Sequence, residues 1–141
     1  MGPSEDPAPP PWPSSTGQFR IFTVAEARAL MPDVRERAAE LVATRADVAE
    51  LALALDRGTE TALGGLAEHK ALTARVSEIQ SWFLETGLEV KGIAPLLLDF
   101  PAVLDGVSVR LCWLEGEQEL AWYHRTDLGF AGRRPLPHEP K

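Results

Sequence analysis

The segment "PLLLDFPAVLDGVSVRLCWL" (Pro95–Leu114) gives the clearest indication of the fold. It holds two apolar-rich runs separated by Asp105-Gly106. Asp-Gly in this position is typical of a two-residue type I′ turn, which requires positive φ at both central residues. Such a turn fixes which residues face each other across the hairpin. The predicted pairs are Leu104–Val107, Phe100–Leu111 and Leu98–Trp113. We therefore predict an antiparallel β-hairpin.

A third strand is predicted in "EQELAWYHR" (Glu117–Arg125), which follows a weaker turn signal at Gly116-Glu117. A two-residue turn there pairs Leu111 with Trp122. One face of the sheet is then apolar and is expected to pack on the helices. That face carries Leu98, Phe100, Val109, Leu111, Trp113, Leu120, Trp122 and His124.

The same register places Cys112, the one cysteine of the chain, and His124 on opposite faces of the sheet. A one-residue slip of the second turn would bring them together, but it would expose Leu120 and Trp122 while burying Glu119. We therefore predict that Cys112 and His124 do not form a catalytic or metal-binding pair. The second face is predicted to carry Asp99, Arg110, Cys112 and Tyr123, with an apolar row of Leu97, Leu114, Ala121 and Tyr123 that requires a cover.

Upstream of the hairpin, apolar residues recur with the helical period. Thr23 and Glu26 form a capping-box signature, and Pro32 predicts that a short first helix ends before it. A long second helix runs to a break at Gly58–Gly65, and another helix is predicted over roughly Leu66–Thr86. Two amphipathic helices with a short connection are expected to form an antiparallel hairpin. Their predicted apolar seams are Val34, Ala38, Leu41, Val48, Ala52 and Leu55, and His69, Leu72, Val76, Ile79 and Phe83.

The 141 residues fit one domain with a tail. Residues 1–17 are rich in proline and serine and are predicted to be a disordered tail. Residues 18–136 are predicted to form a single α+β domain, and residues 137–141 a flexible C-terminus. The predicted fold is a long antiparallel helical hairpin packed on a three-stranded antiparallel β-meander. Short strands are also predicted in "FRIF" (Phe19–Phe22) and "LEVKG" (Leu88–Gly92).

Charge and composition narrow the functional classes. The net charge is −7, from 14 basic and 21 acidic side chains. Non-specific binding to nucleic acid or to anionic membranes needs a basic surface, so neither partner is expected. A single cysteine excludes an internal disulfide and a zinc site built from several thiolates. Because we find no signal sequence and no apolar run long enough to cross a membrane, we predict a cytoplasmic location.

The loop "DLGFAGRRPL" (Asp127–Leu136) is the most distinctive candidate site. Its glycines permit backbone conformations closed to other residues, and exposed amides beside Arg133 could bind a small anion such as a carboxylate or phosphate. The alternative is a tight loop in which Phe130 enters the core and Arg133 pairs with a helix carboxylate. The candidate ligand or anion site comprises His124, Asp127, Gly129, Gly132 and Arg133.

A metal site at His124 would need further donors, and His69 and Glu78 on the last helix are the candidates, with Asp127 nearby. A divalent metal is compatible with the sequence, but no motif requires one. The alternative is a structural histidine that bonds a backbone carbonyl or a carboxylate. For Cys112, the alternative to a nucleophile is a small, soft residue that fills a strand position.

Several segments together resemble a bacterial family called domain of unknown function 2203. They are "FTVAEARALMPDVR", "LLLDFPAVLDG", "VRLCW", "WYH" and "GFAGRRPL", and they extend from about Phe22 to Leu136. The resemblance implies no activity, because the family is uncharacterised. It implies that His124 and the Gly129–Arg133 loop are the first places to look for a site.

Two functional hypotheses follow from these features. The first is a small binding or assembly module that self-associates through the outer sheet face or the helices, which predicts a homo-oligomer. The second is an enzyme that depends on a small ligand or a metal, with its site near His124 and the Gly129–Arg133 loop. The sequence does not decide between an enzyme and a binding protein.

Overall fold

A computed structural model describes residues 20–137, which form an α+β fold of two α-helices followed by an antiparallel sheet. Within that range the sheet has five strands in sequence order, so the predicted number of three was too low. The elements are α1 (Val24–Arg57), α2 (Leu66–Thr86), β1 (Glu89–Ile93), β2 (Leu96–Leu104), β3 (Val107–Leu114), β4 (Trp122–Arg125) and β5 (Arg134–Pro135). The predicted tail at residues 1–17 and residues 138–141 lie outside the described part of the chain. Within residues 20–137, neither helix contains an apolar stretch of the length that a membrane span requires.

Helix α1 is continuous through Pro32, so the predicted break at that residue is wrong. Proline has no amide hydrogen and crowds the preceding turn, which destabilises a helix interior. Burial offsets this cost, because Met31 and Val34 on either side of the proline both belong to the core. The predicted capping box is confirmed: the Glu26 amide donates to Thr23 Oγ1 at 3.0 Å, and the Thr23 amide donates to the Glu26 carboxylate at 2.9 Å.

The buried face of α1 follows the predicted seam only in its first half. The buried predicted positions are Val34, Ala38 and Leu41. Further along, Ala52 and Leu55 are exposed, and the buried residues are Thr44, Leu51 and Ala54. The seam shifts at Thr44, next to Arg45, whose side chain reaches out to form an ion pair with Glu115.

Helix α2 lies beside α1, and several side chains join the two. The Arg75 guanidinium donates two hydrogen bonds to the Glu40 carboxylate, at 2.6 and 2.7 Å. The Arg37 guanidinium lies over the Trp82 ring, 4.5 Å from its centroid. On the core side of α2, two positions of the predicted seam are buried, Ile79 and Phe83. The helices therefore share both a polar contact surface and part of the core.

The β2–β3 hairpin has the predicted register. Its pairs include Leu98–Trp113, Phe100–Leu111 and Leu104–Val107. Asp105 and Gly106 have φ angles of 51° and 79°, as a type I′ turn requires. One face of the hairpin packs on the helices and forms the core with them. The core includes Phe22, Met31, Val34, Leu41, Ile79, Phe83, Leu98, Phe100, Leu111 and Trp113.

The register between β3 and β4 differs from the prediction by one residue. Leu111 pairs with Tyr123 instead of Trp122, and Arg110 pairs with His124. Because side chains alternate along a strand, this shift moves every β4 side chain to the opposite face.

The connection between β3 and β4 explains the shift, since Glu117 bonds back to β3 instead of beginning a new strand. Its carboxylate accepts from the Leu114 amide at 2.8 Å, and its carbonyl accepts from the Trp113 indole at 3.0 Å. Leu120 then lies in the connection, outside the strand, and is only 1% exposed. Its burial is therefore independent of the alternation in β4.

Short segments complete the sheet on the other side of β2. Strand β1 overlaps the predicted "LEVKG" strand and pairs with β2, with a bulge between Val90 and Gly92. Where β1 no longer covers β2, Phe22 forms a parallel bridge to Ala102. The Phe22 ring also contacts Phe100 edge to face, with 5.3 Å between ring centroids. The residues before α1 thus anchor the helix start to the middle of the sheet.

Arg45 ties the middle of α1 to one end of the sheet. Its guanidinium donates to both carboxylate oxygens of Glu115 at 2.8 Å and also to the Ile93 carbonyl. Glu115 accepts a further hydrogen bond from the Leu96 amide at 2.9 Å. The Arg45 hydrogen bonds, and then the Leu96 amide, hold the pKa of Glu115 below its usual range. The Glu115 carboxylate therefore joins α1, the β1–β2 turn and the end of β3.

We expect Glu115→Gln to lower the free energy of unfolding at pH 7 by about 1–3 kcal/mol, the usual range for a hydrogen bond to a charged group. Because the folded pKa of Glu115 is lowered, its contribution is present above the ordinary carboxyl range and is lost as the pH falls through the lowered value. Urea unfolding at neutral pH and at about pH 3 measures this. Glu119→Gln, an exposed residue of the same connection, is the control. A Glu115→Gln effect that stays constant over this pH range would contradict the ion-pair role.

Candidate metal centre

The observed register brings three potential metal ligands together on the outer face, the sheet surface that points away from the helices. This face carries Leu97, Asp99, Arg110, Cys112, Leu114, Trp122 and His124. One donor atom from each of Asp99, Cys112 and His124 lies within 4.8 Å of the other two. We call these three residues the Asp-Cys-His cluster. The prediction that Cys112 and His124 point to opposite faces is therefore wrong.

The sequence disfavours this register because a slipped strand would expose Leu120 and Trp122. In the structure both side chains are covered in other ways. Leu120 is buried from the connection that precedes β4. Trp122 lies on the outer face under the guanidinium of Arg133, which is 5.0 Å from the ring centroid. Glu119, which a slipped strand would bury, stays exposed.

The cluster is almost completely buried. The exposed fractions are 1% for Asp99, 0% for Cys112 and 3% for His124. Polar residues are rarely buried to this degree unless they are paired or bind a metal. Lys91 contacts the Asp99 carboxylate at 3.1 Å, and Arg133 donates to the Cys112 carbonyl at 3.2 Å. Cationic side chains from β1 and from the C-terminal loop thus lie against the cluster.

His124 is oriented by the backbone of its own strand. Its Nδ1 lies 2.8 Å from the carbonyl oxygen of Arg125, and since a carbonyl can only accept, Nδ1 carries a proton. Nε2 is then directed at the Asp99 carboxylate, 3.2 Å from Oδ2, and a hydrogen bond there requires a proton on one of these two atoms. In metal sites, the ligating histidine usually donates its other ring N–H to a carbonyl or carboxylate. The Nδ1 contact of His124 has this form.

Asp99 uses only one of its two carboxylate oxygens. Oδ2 accepts from Lys91 Nζ at 3.1 Å and contacts His124 Nε2 at 3.2 Å. Oδ1 is buried and has no hydrogen-bond partner within the described residues. Burying a polar atom in this way costs about 1–3 kcal/mol, and more for a charged group. This oxygen is therefore available to a cation.

Cys112 is not arranged as a nucleophile. Burial raises the pKa of its thiol to about 12, and the negative charge of Asp99 acts in the same direction, whereas Arg133 opposes them. A catalytic thiol needs a lowered pKa and a base to accept its proton. Both ring nitrogens of His124 are already occupied, by Asp99 and by the Arg125 carbonyl. The geometry thus disfavours a thiol–imidazole pair but is compatible with a metal ion, which displaces the thiol proton when it binds.

The other residues predicted for the outer face divide between the two sides of the sheet. Arg110 lies on the outer face and forms a bidentate ion pair with Glu89, at 2.9 and 3.2 Å. Tyr123 pairs with Leu111 and packs against the core. Its predicted place on the outer face is therefore wrong. The cause is the one-residue register shift that also moves His124 to the outer face.

Two backbone amides of the glycine loop form hydrogen bonds within the loop itself. The Gly132 amide donates to the Gly129 carbonyl at 2.9 Å, and the Arg133 amide donates to the Phe130 carbonyl at 3.1 Å. These two amides are therefore used inside the loop. Asp127, the remaining candidate, forms an exposed ion pair with Arg125 at 2.9 Å.

Arg133 is the residue of this loop that reaches the cluster. Its Nη2 donates to the Cys112 carbonyl at 3.2 Å and to the Glu117 carboxylate at 2.8 Å. The guanidinium also lies over the rings of Trp122 and Phe130, 5.0 and 4.6 Å from their centroids. Phe130 is 43% exposed, so it contacts Arg133 at the surface instead of entering the core. Arg133 pairs with a loop carboxylate and not with a helix carboxylate.

The structure does not bring the predicted partners His69 and Glu78 to His124. Both lie on α2, and Glu78 pairs with Arg75 at 3.0 Å. Across residues 20–137, the one set of at least three cysteine, histidine or acidic residues with donor atoms close enough for a single ion is the Asp-Cys-His cluster. Sequence reasoning named all three residues but did not combine them.

We expect the thiol of metal-free Cys112 to react with iodoacetamide at pH 8 at least about 100-fold more slowly in the folded protein than in denaturant, because it is buried and its pKa is raised. Mass spectrometry reads the result directly, since the chain has one cysteine. Equal rates in the folded and unfolded protein would show that the thiol is an accessible, activated nucleophile.

A family model described as "Uncharacterized conserved protein (DUF2203)" matches residues 20–136. Comparisons with curated proteins and with solved structures find no match. The matched range includes both helices, all five strands and the whole Asp-Cys-His cluster. The chain therefore belongs to DUF2203, a family of uncharacterized conserved proteins.

Proposed function

We propose that this chain is a metal-binding protein that holds one divalent transition-metal ion, with Zn²⁺ as the first candidate, at Asp99, Cys112 and His124. The observation that carries the proposal is the buried Asp99 carboxylate, whose Oδ1 has no partner among the described residues. One donor atom from each of Asp99, Cys112 and His124 lies within 4.8 Å of the other two. A cation at this point satisfies the oxygen and joins all three side chains.

The donor set supports zinc over a hard cation. Thiolate sulfur and imidazole nitrogen are ligands for Zn²⁺ and related metals, whereas Mg²⁺ and Ca²⁺ prefer oxygen. Ligand atoms about 2.0–2.3 Å from a tetrahedral zinc lie roughly 3.3–3.8 Å apart. The three donor atoms already lie within 4.8 Å of one another, so only small side-chain movements are needed.

The charges of the cluster also support a divalent ion. With a metal bound, ionised Asp99 and the Cys112 thiolate place two negative charges in the buried site, beside the cationic side chains of Lys91 and Arg133. An ion of charge +2 neutralises both, and His124 binds it as a neutral imidazole through Nε2. The Arg125 carbonyl keeps the Nδ1 proton in place, which leaves Nε2 as the ligating atom.

We expect the purified protein to bind about one equivalent of Co²⁺ or Zn²⁺, with a thiolate-to-cobalt absorption band in the near ultraviolet when Co²⁺ is used. Zn²⁺ at about 1,000 times its Kd should add roughly 4 kcal/mol to the free energy of unfolding. Removing one ligand, by Cys112→Ser or His124→Ala, should weaken metal binding at least about 100-fold.

The control for this experiment is His69→Ala, which removes a histidine of α2 that is outside the cluster. This variant should bind metal like the wild type. Unchanged metal binding in both Cys112→Ser and His124→Ala would contradict the proposed site. Loss of binding in His69→Ala alone would favour the ligand set that the sequence suggests on α2.

We also propose that the two helices form an antiparallel hairpin and that the protein self-associates. The observation that favours self-association is the exposure of Leu53, Leu55 and Leu66, which are 49%, 41% and 58% exposed near the connection between α1 and α2. Large apolar side chains that are exposed to solvent are typical of interaction surfaces when they form one patch. We expect light scattering at high protein concentration to give a mass above that of one chain, and Leu53→Glu with Leu66→Glu to restore the monomer. A wild-type protein that remains a strict monomer would contradict this proposal.

A further inference from the structure

We infer that the bound metal keeps one coordination position for a small monocarboxylate anion, and that Arg133 is the residue that selects this anion. The inference rests on the proposed metal site, since the anion needs the metal as well as Arg133. It names the class of ligand that the centre would accept from solution.

Two buried polar atoms near Cys112 point to a ligand. In the described part of the chain, the buried side-chain nitrogen and oxygen atoms without a hydrogen-bond partner are Asp99 Oδ1 and Arg133 Nε. Both residues contact Cys112 or its immediate surroundings: Asp99 pairs with Cys112 across the strands, and Arg133 donates to the Cys112 carbonyl. One atom is an acceptor and the other is a donor, and the group that both side chains face is the Cys112 thiol, which is only a weak donor and a weak acceptor. A metal ion that carries an anionic ligand supplies a cation to the acceptor and an acceptor to the donor.

Several contacts hold the Arg133 side chain in place. Its guanidinium donates to the Glu117 carboxylate and the Cys112 carbonyl and lies over the rings of Trp122 and Phe130. Its side chain is 14% exposed. The unused Nε–H therefore stays buried beside the cluster. A buried donor in a native protein usually has an acceptor, so this group indicates a ligand oxygen.

The charges of the side chains around the site also favour an anionic ligand. A divalent ion with Asp99, thiolate Cys112 and neutral His124 has no net charge. The neighbouring charged residues are Lys91, Arg110 and Arg133, against Glu89 and Glu117, which leaves one positive charge. A singly charged anion neutralises it. Inorganic phosphate carries more negative charge at neutral pH and fits this balance less well.

Lys91 adds a further donor on the Asp99 side. Its ammonium has three hydrogens, and within the described residues it contacts two carboxylates, Asp99 at 3.1 Å and Glu89 at 3.3 Å. A carboxylate has two oxygens in one plane, so one can bind the metal while the other accepts from a cationic side chain. Lys91 beside Asp99 and Arg133 beside Cys112 are thus two donors that fit a carboxylate.

The test is titration of the Co²⁺-loaded protein with sodium acetate, followed by the visible absorption of the cobalt ion. Acetate should change the spectrum until saturation, and Arg133→Gln should weaken the apparent affinity for acetate at least about tenfold, the value of one charge-assisted hydrogen bond. Arg134→Gln is the matched control, because it removes the adjacent and exposed arginine. Arg133→Lys, which keeps the charge without the Nε–H, should also bind acetate more weakly than the wild type.

The Co²⁺ band separates failure of this inference from failure of the proposed function. If the band forms but acetate does not change it, the coordination shell is already complete and the inference is wrong while the metal site stands. Equal acetate affinity in Arg133→Gln, Arg133→Lys and the wild type would also overturn it. Inorganic phosphate, titrated in parallel, should bind more weakly, and a preference for phosphate would refute the assignment to a carboxylate. Absence of any cobalt band would refute the metal site itself.

Discussion

The pairing of Arg110 with His124 across β3 and β4 is the constraint on which the outer face of this protein depends. It fixes the side of the sheet to which each β4 side chain points, and so it moves Tyr123 to the core and His124 to a position beside Asp99 and Cys112. Glu117 sets this register, because its carboxylate and carbonyl both bond to β3. Glu117, a single residue of the β3–β4 connection, thereby determines which side chains meet on the outer face.

Much of the scaffold could be predicted from local sequence because local forces determine it. The Asp105-Gly106 turn has one compatible hairpin geometry, and it gives the observed β2–β3 register. The capping box at Thr23 and Glu26 likewise forms as predicted. Pro32 shows where local rules fail, since core packing around Met31 and Val34 keeps a helix continuous through a residue that disfavours it. Strand β5 has no counterpart among the predicted strands, because it is only two residues long and its pairing with β4 depends on the path of the C-terminal loop.

The candidate site could be predicted only in part, because its assembly depends on a non-local register. One residue of the site does stand out in the sequence, because Asp99 interrupts an apolar strand. A buried carboxylate in such a strand needs a partner. Strand alternation places Leu120 on the face opposite Cys112 only if Leu120 belongs to the strand, whereas it lies in the connection before β4. Nothing in the local sequence shows that Glu117 returns to β3 or that Arg133 covers Trp122.

The central claim is that one metal ion is bound by sulfur, nitrogen and oxygen donors from three neighbouring positions on the outer face. X-ray absorption spectroscopy of the zinc-loaded protein tests it most directly, because the scattering of sulfur differs from that of nitrogen and oxygen. We expect a single sulfur neighbour at about 2.3 Å, with the remaining ligands nitrogen or oxygen at about 2.0–2.2 Å. A shell of nitrogen and oxygen alone, or zinc that is removed by simple dialysis, would contradict it.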